Sequence, residues 1–333
     1  MAEIALEHLR ELKHLDVSAL NGRVIPFHAL HDGQKWHLWF PASDRLIHTD
    51  TAVPVECFYF SQRPVGEGDI YFRLLEFLQQ RAYWREIVHY VDGLYADLQN
   101  AGASLSKLRL IFDHSRGNSR DTGRMVVTEI EYMFLTCRSI FDLLQEVVVA
   151  LWSKVRLFDQ DLKKANLPST YRKMVLRDEK PMSKEEIASR FRLPESIAAI
   201  YASSAPFFTW LRSYRDLVAH SGHTPDKVFI TEKGFAISKE DRPFRDMNIW
   251  SEANSLPKEL GSVLSVMGHV LATTFATCDA FADAFSKTIQ FPPAVAPKHH
   301  IFVCGPHLHN LVSLNELVQA RPWYDSAAAG HGT

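Results

Sequence analysis

Between residues 126 and 155, apolar side chains recur at alternating steps of four and three: Val126, Ile130, Met133, Cys137, Ile140, Leu144, Val147, Leu151 and Val155. Only an α-helix brings positions three and four apart onto one face, so this stretch must be a long amphipathic helix. At 1.5 Å per residue it runs roughly 50 Å. Glu131, Arg138 and Lys154 fall on the opposite side. A chain holding such a rod has to cover its stripe with other elements.

The flanking sequence supplies them. "GRVIPFHAL" and "KWHLWF" enclose "HDGQ", a hairpin pattern with an Asp-Gly turn, and "AVPVECFYF" reads as a third strand. From Asp69 the period changes, and "DIYFRLLEFLQQ" and "YWREIVHYVDGLYADLQ" read as helices. A polar, basic loop, "HSRGNSRDTGR", precedes the long helix. Ser183 and Glu186 have capping-box spacing, which starts another helix. The next is expected from about Pro194 to His220, followed by a hairpin over "KVFIT", "EKG" and "FAIS". A last long helix is expected to start near Pro257 and to bury Leu260, Leu264, Met267, Leu271, Cys278 and Phe281. Pro292, Pro293 and Pro297 then stop it. These elements predict a mainly α protein: a β-rich region at 1–65, a helical bundle at 66–290 with an inserted β-hairpin, and a tail of one strand and one short helix at 291–333.

Lys and Arg total 37 against 39 Asp and Glu, so no broad basic face grips a polyanion, and any nucleic acid must meet a local patch. The N-terminus is acidic and amphipathic, without the apolar core of a leader. The longest dense apolar run, "VVVALW", is far short of the ~18 residues a membrane span needs. Cys57, Cys137, Cys278 and Cys304 form no CxxC pair, which fits a reducing compartment. A cytoplasmic location, with no membrane partner, is the expectation.

The candidate chemistry lies in "FFTWLRSYRDLVAHSGHT", residues 207–224. Arg212, Asp216 and His220 are four apart and form a ladder on one helix face. Asp216 can orient the His220 imidazole. Ser221 and Gly222 read as a C-cap, which puts His220 in the last turn, where the helix dipole favours its protonated form. A histidinium held there is a competent general acid. Arg215 lies about 140° around the helix from His220, so the two converge only through a loosened turn or a second copy of the helix. A surface ladder of this kind also occurs without chemistry.

Arg215, the polar Asp216, three further residues and His220 resemble the Arg–His motif of the HEPN superfamily. These are helical-bundle proteins that include metal-independent RNases of toxin–antitoxin and phage-defence systems. The resemblance covers roughly 66–290 and implies two motifs meeting across a homodimer. It implies that His220 handles the proton of the RNA 2′-hydroxyl or of the leaving 5′-oxygen. Arg215 then holds the scissile phosphate, and Asp216 orients His220. Arg212, Arg116, Arg120 and Arg124 are the candidate RNA-backbone contacts. The implied partners are an RNA substrate, a second copy of the chain, and a protein or small-molecule inhibitor; no cofactor and no metal are implied. Inactive members of the superfamily that only bind partners give the other expectation, a non-catalytic interaction module.

Two further patterns compete. "SKEEIASRFRLPESIAAIYA" resembles a helix-turn-helix, yet its second helix is mostly apolar and offers little to base edges, so it reads as core. His299, His300, Cys304, His307 and His309 are zinc-type ligands, but strand alternation would divide them between two faces. Phe207, Phe208 and Trp210 could stack bases; packing within the protein is their default.

Overall fold

The computed structural model describes residues 4, 6–25, 29–115, 122–159, 161, 163–221 and 227–324, with backbone alone at 6 and 215–221. A short α1 (Leu6–Leu9) is followed by β1 (Ala29–His31), β2 (Trp36–Ala42), β3 (Arg45–Thr49) and β4 (Cys57–Ser61). Next come α2 (Arg73–Arg81), α3 (Val88–Ser115), α4 (Thr122–Lys154), β5 (Arg156–Leu157) and α5 (Tyr171–Val175). The hairpin of β6 (Leu176–Arg177) and β7 (Lys180–Pro181) leads to α6 (Lys184–Phe191) and α7 (Glu195–Ser221). Four strands follow, β8 (Phe229–Ile230), β9 (Phe235–Ser238), β10 (Ser255–Leu256) and β11 (Leu260–Ser262), and then α8 (Val263–Thr288). β12 (Ile289–Gln290), β13 (His300–Cys304), α9 (His309–Val312) and α10 (Leu314–Val318) complete the described elements.

About 51% of the chain is helix and 15% strand, with a five-stranded mixed sheet and several smaller ones. This corrects the expectation of a mainly helical bundle of HEPN type: the protein is mixed α/β. The correction has a physical cause. β13 pairs antiparallel with β4, so the expected N-terminal strands and the expected tail are one sheet, in the order β13-β4-β1-β2-β3. Likewise the expected inserted hairpin is only half of a four-stranded antiparallel sheet, β10-β11-β9-β8.

The chain divides into two compact units. The first takes Met1–Ala96, Asp142–Ser203 and Thr277–His309; the second takes Asp97–Phe141, Ser204–Ala276 and Asn310–Thr333. All nine stripe residues of the long helix are buried.

In the first unit, Asp32 builds the β1–β2 turn: its Oδ1 accepts from the backbone N–H of Gln34 and Lys35, and Gly33 takes a φ of 101°. Side chains alternate across the five-stranded sheet. Phe60 and Ile301 join Leu12, Leu15, Leu46, Val295 and Ala296 in one apolar cluster. Tyr59 and Phe302, one residue along, join Ala29 and Cys304 in another. With both faces covered, β4 reads "CFYF" rather than alternating apolar and polar. Arg23 is buried, with its guanidinium donating to the carbonyls of Ala19, Leu20, Gln80 and Pro293. Ser183 caps α6 through the expected box: its Oγ accepts from Glu186 N, and the Glu186 carboxylate accepts from Ser183 N.

In the second unit, Trp210 Nε1 donates to the Pro243 carbonyl at 2.9 Å, tying α7 to the segment before β10. Asn254 organises the strand turn by donating to Ile249 O and Val318 O and accepting from Ser251 N. Gly261 on β11 lies flat against the Trp250 ring, where an added Cβ would sit 2.2 Å from a ring carbon. Gly261→Ala is therefore expected to cost about 1–3 kcal/mol by overpacking. Urea unfolding would show it as a lower midpoint at unchanged slope.

α8 begins at Val263, later than expected, because Leu260–Ser262 pairs with β9 instead. Among the described residues it is the one helix long and apolar enough to cross a membrane, and 61% of its most apolar window is buried inside the protein.

Candidate functional site

α7 continues without interruption to Ser221, so Arg215, Asp216 and His220 occupy its last two turns. Their side chains lie outside the described residues, as do Arg116, Arg120 and the expected cap residue Gly222. The neighbourhood of that helix end is described, and it belongs to the second unit.

Aromatic pairs set the register of α4 against α7. Phe141 meets Phe207 and Phe208, with centroids 6.0 and 5.6 Å away, while Phe134 meets Trp210 and stacks on Tyr214 at 4.0 Å. Moving back along α4 moves forward along α7, so the helices are antiparallel. Continuing this register by two turns places the second turn of α4, around Val127, beside the last turn of α7; the first turn of α4, with exposed Arg124, lies one turn further along. The segment holding Arg116 and Arg120 leads directly into that first turn. The exposed N–H groups at the start of a helix carry partial positive charge and attract anions. Of the remaining expected contacts, Arg212 is half-buried on α7.

Immediately before Arg215, Tyr214 is almost fully buried, and its hydroxyl has no hydrogen-bond partner among the described residues. Glu131 Oε1, on α4, is buried and equally unpartnered. Burial pushes the Tyr214 phenol well above its ordinary pKa, and the Glu131 charge adds to this. Buried polar atoms left without partners are rare in folded proteins and concentrate where function demands them. Sequence reasoning placed Glu131 on the polar side of the long helix; nothing in the sequence pairs it with Tyr214.

The aromatic residues of the same stretch serve packing. Phe208 is fully buried beneath the Arg138 guanidinium, 4.4 Å from its centroid, and Phe207 stacks on Trp210. α6 and α7 also do what the apolar reading of the helix-turn-helix resemblance requires, since Ile197, Ala198 and Tyr201 are buried.

The His/Cys group at 299–309 is dispersed. His299 stands 6.1 Å from His14, exposed His300 lies 3.5 Å from Glu76, Cys304 faces Cys57, and His309 packs on Gly68. Among the described residues, no three His, Cys, Asp or Glu side chains converge as metal ligands would.

One cleft escaped the sequence reading. In the first unit, Arg73, Glu76, Gln80, Arg81, Ser286 and His300 line a hollow of about 290 Å³. Burial raises the Glu76 pKa. Beside the cleft, burial pushes Asp279 up to about 6, although Arg73 and the backbone N–H groups of Arg73 and Leu74 pull it down. A wider hollow of about 610 Å³ over Arg177, Glu185, Glu186 and Arg190 has only exposed charges, which makes it the poorer candidate.

Asp279 gives a signed pH expectation. Its folded pKa lies above the ordinary 3.8, so its contribution is fully present below pH 3.8 and is lost as pH rises through about 6. Asp279→Asn keeps an acceptor for the α2 N-terminus without the buried charge. The variant should match the wild type in acid and melt higher than it well above pH 6. Equal melting temperatures across that range would remove Asp279 as a buried acid.

No family model, curated protein or solved structure matches the chain.

Proposed function

We propose that the chain is a metal-independent endoribonuclease acting in the cytoplasm, with Arg215, Asp216 and His220 as its reactive set. The observation that carries this reading is where the set stands: the last two turns of a 27-residue helix whose end runs toward the start of antiparallel α4, where Arg124 is exposed. An RNA strand laid along that end has Arg215 for one phosphate, with the positive pole of α4 and Arg124 about one turn further on. The C-terminal pole of α7 favours a charged His220. The motif's resemblance to HEPN ribonucleases supports the same assignment, and with it a role in toxin–antitoxin or phage-defence biology. That support rests on the helix end alone and needs no helical bundle.

The chemistry requires no cofactor. The ribose 2′-hydroxyl gives its proton to a solvent water and attacks the adjacent phosphorus. The P–O5′ bond breaks, and His220 gives the leaving oxygen its proton. Arg215 offsets the charge that grows on the phosphoryl oxygens. The products are a 2′,3′-cyclic phosphate and a 5′-hydroxyl. The test is an RNA oligonucleotide incubated with the protein in EDTA, next to the same oligonucleotide fully 2′-deoxy. Cleavage of the first alone supports the reading, because only RNA carries the nucleophile. Survival of both overturns it.

A second reading, a non-catalytic interaction module, is favoured by a different observation. Met125, Tyr132 and Leu135 repeat on one face of α4 and are exposed, as is Leu110 on α3, one turn beyond the Lys107 that covers the Tyr132 ring. Exposed apolar side chains grouped on one face mark interaction surfaces. A second copy of this chain is the occupant that serves both readings, since a two-fold contact can bring two Arg–His sets together.

A further inference from the structure

Cys57 opens β4 and Cys304 closes β13, and the antiparallel register makes them direct partners. Directly opposed residues have Cα atoms about 4.5–5.5 Å apart, which lies within the span a disulfide bridges. Their sulfurs are 3.5 Å apart, and both thiols are reduced. Closing the bond to about 2.05 Å is within reach of side-chain rotation, with the strands left in register. Ala29, Tyr59 and Phe302 wall the pair on its own face of the sheet. Cys57 is half-buried, so the pair is reached from the end of the sheet, while Cys304 sits deeper.

The two thiols are electronically unlike. Either thiol can donate across the S···S contact; that contact holds Cys304 below the ordinary thiol pKa and, with burial, lifts Cys57 above it. One sulfur is thereby prepared as the nucleophile and its neighbour as the group that resolves it.

We propose that Cys57 and Cys304 form a reversible dithiol–disulfide couple that a small hydroperoxide oxidises. The Cys304 thiolate attacks one peroxide oxygen, the O–O bond breaks, and hydroxide leaves, giving a sulfenic acid. Cys57 sulfur then attacks the Cys304 sulfur; the S–O bond breaks and the S–S bond forms. The hydroxide released at each step takes a proton and departs as water. In sum, two thiols and hydrogen peroxide give one disulfide and two waters. A dithiol reductant reverses the change. The couple is separate from the Arg215–His220 site, and it stands whether or not the chain cleaves RNA.

The experiment treats the full chain with equimolar hydrogen peroxide, alkylates the remaining thiols, digests, and maps the peptides by mass spectrometry. The expected result is one cross-linked species joining the Cys57 and Cys304 peptides, lighter by two hydrogens and abolished by dithiothreitol. Cross-linking segments this far apart in sequence should also raise Tm on the order of 5 °C. In Cys57→Ser, Cys304 should be trapped by dimedone as its sulfenic acid, several-fold more than in the wild type. Alkylation of both cysteines after peroxide, pairing of either with Cys137 or Cys278, or equal dimedone trapping in wild type and variant would overturn the proposal. Should Cys57→Ser fail to fold, the wild-type peptide map decides alone.

Discussion

Replacing His220 with Ala, or Arg215 with Ala, is expected to lower RNA cleavage about a thousandfold or more, the usual scale for losing a general acid or a charge-stabilising group. Both positions are in the last two turns of α7. Truncation near a helix end removes chemistry and little packing, so circular dichroism and Tm should stay close to wild type. Cleavage at the wild-type rate by either variant would remove that residue from the site. A large fall in Tm would instead mark the Arg–His stretch as structural. If one subunit supplies Arg215 and the other His220, mixing the two inactive variants restores some activity; two intact sets per dimer would leave the mixture inactive.

The largest expected effect on stability is in the first unit. Phe281 is fully buried, with Tyr201 edge-on at 4.9 Å, Phe285 at 5.8 Å and Tyr171 at 6.5 Å. Tyr201 is not able to slide into a vacated space, because its hydroxyl donates to Gln145 Oε1 at 2.6 Å, and Gln145 in turn donates to the Pro168 carbonyl. Phe281→Ala should therefore leave a cavity that does not collapse, at a cost of about 3–5 kcal/mol. Thermal melting would show a fall of roughly 10 °C, and Phe281→Leu should recover part of it. A loss below about 1 kcal/mol would mean that the aromatic cluster repacks.

Local patterns were legible in the sequence, and long-range pairings were not. The stripe from Val126 to Val155, the Ser183–Glu186 box and the Asp32-Gly33 turn are each written in residues a few positions apart, and each stands where that spacing puts it. β13 is five residues long and finds its partner in β4, on the other side of nearly the whole helical region. Each reads as a strand by itself, but neither alternates, since both faces are covered, and nothing local announces their pairing. β3 escaped because "RLIHT" is short and largely exposed, and β10 and β11 because two or three residues make no pattern. That loss moved the expected start of α8 from Val263 back to Pro257.

The candidate site divides in the same way. Helix spacing put Arg215, Asp216 and His220 on one helix end, and helix α7 carries them there. The antiparallel course of α4, which turns its start toward that end, depends on Phe134 and Phe141 packing against α7. So does the meeting of Tyr214 with Glu131; the Tyr214 hydroxyl and Glu131 Oε1 have no hydrogen-bond partner among the described residues. The raised acid at Asp279 arises from burial alone, which a sequence does not display.

The most direct test of the central claim is the chemistry of the ends produced when the wild-type protein is incubated with a defined RNA in EDTA. Mass spectrometry of the fragments should find 2′,3′-cyclic phosphate or 3′-phosphate on one side of the cut and 5′-hydroxyl on the other. It should find neither with His220→Ala. Intact RNA, or fragments bearing 5′-phosphate and 3′-hydroxyl, would contradict an Arg215–His220 ribonuclease.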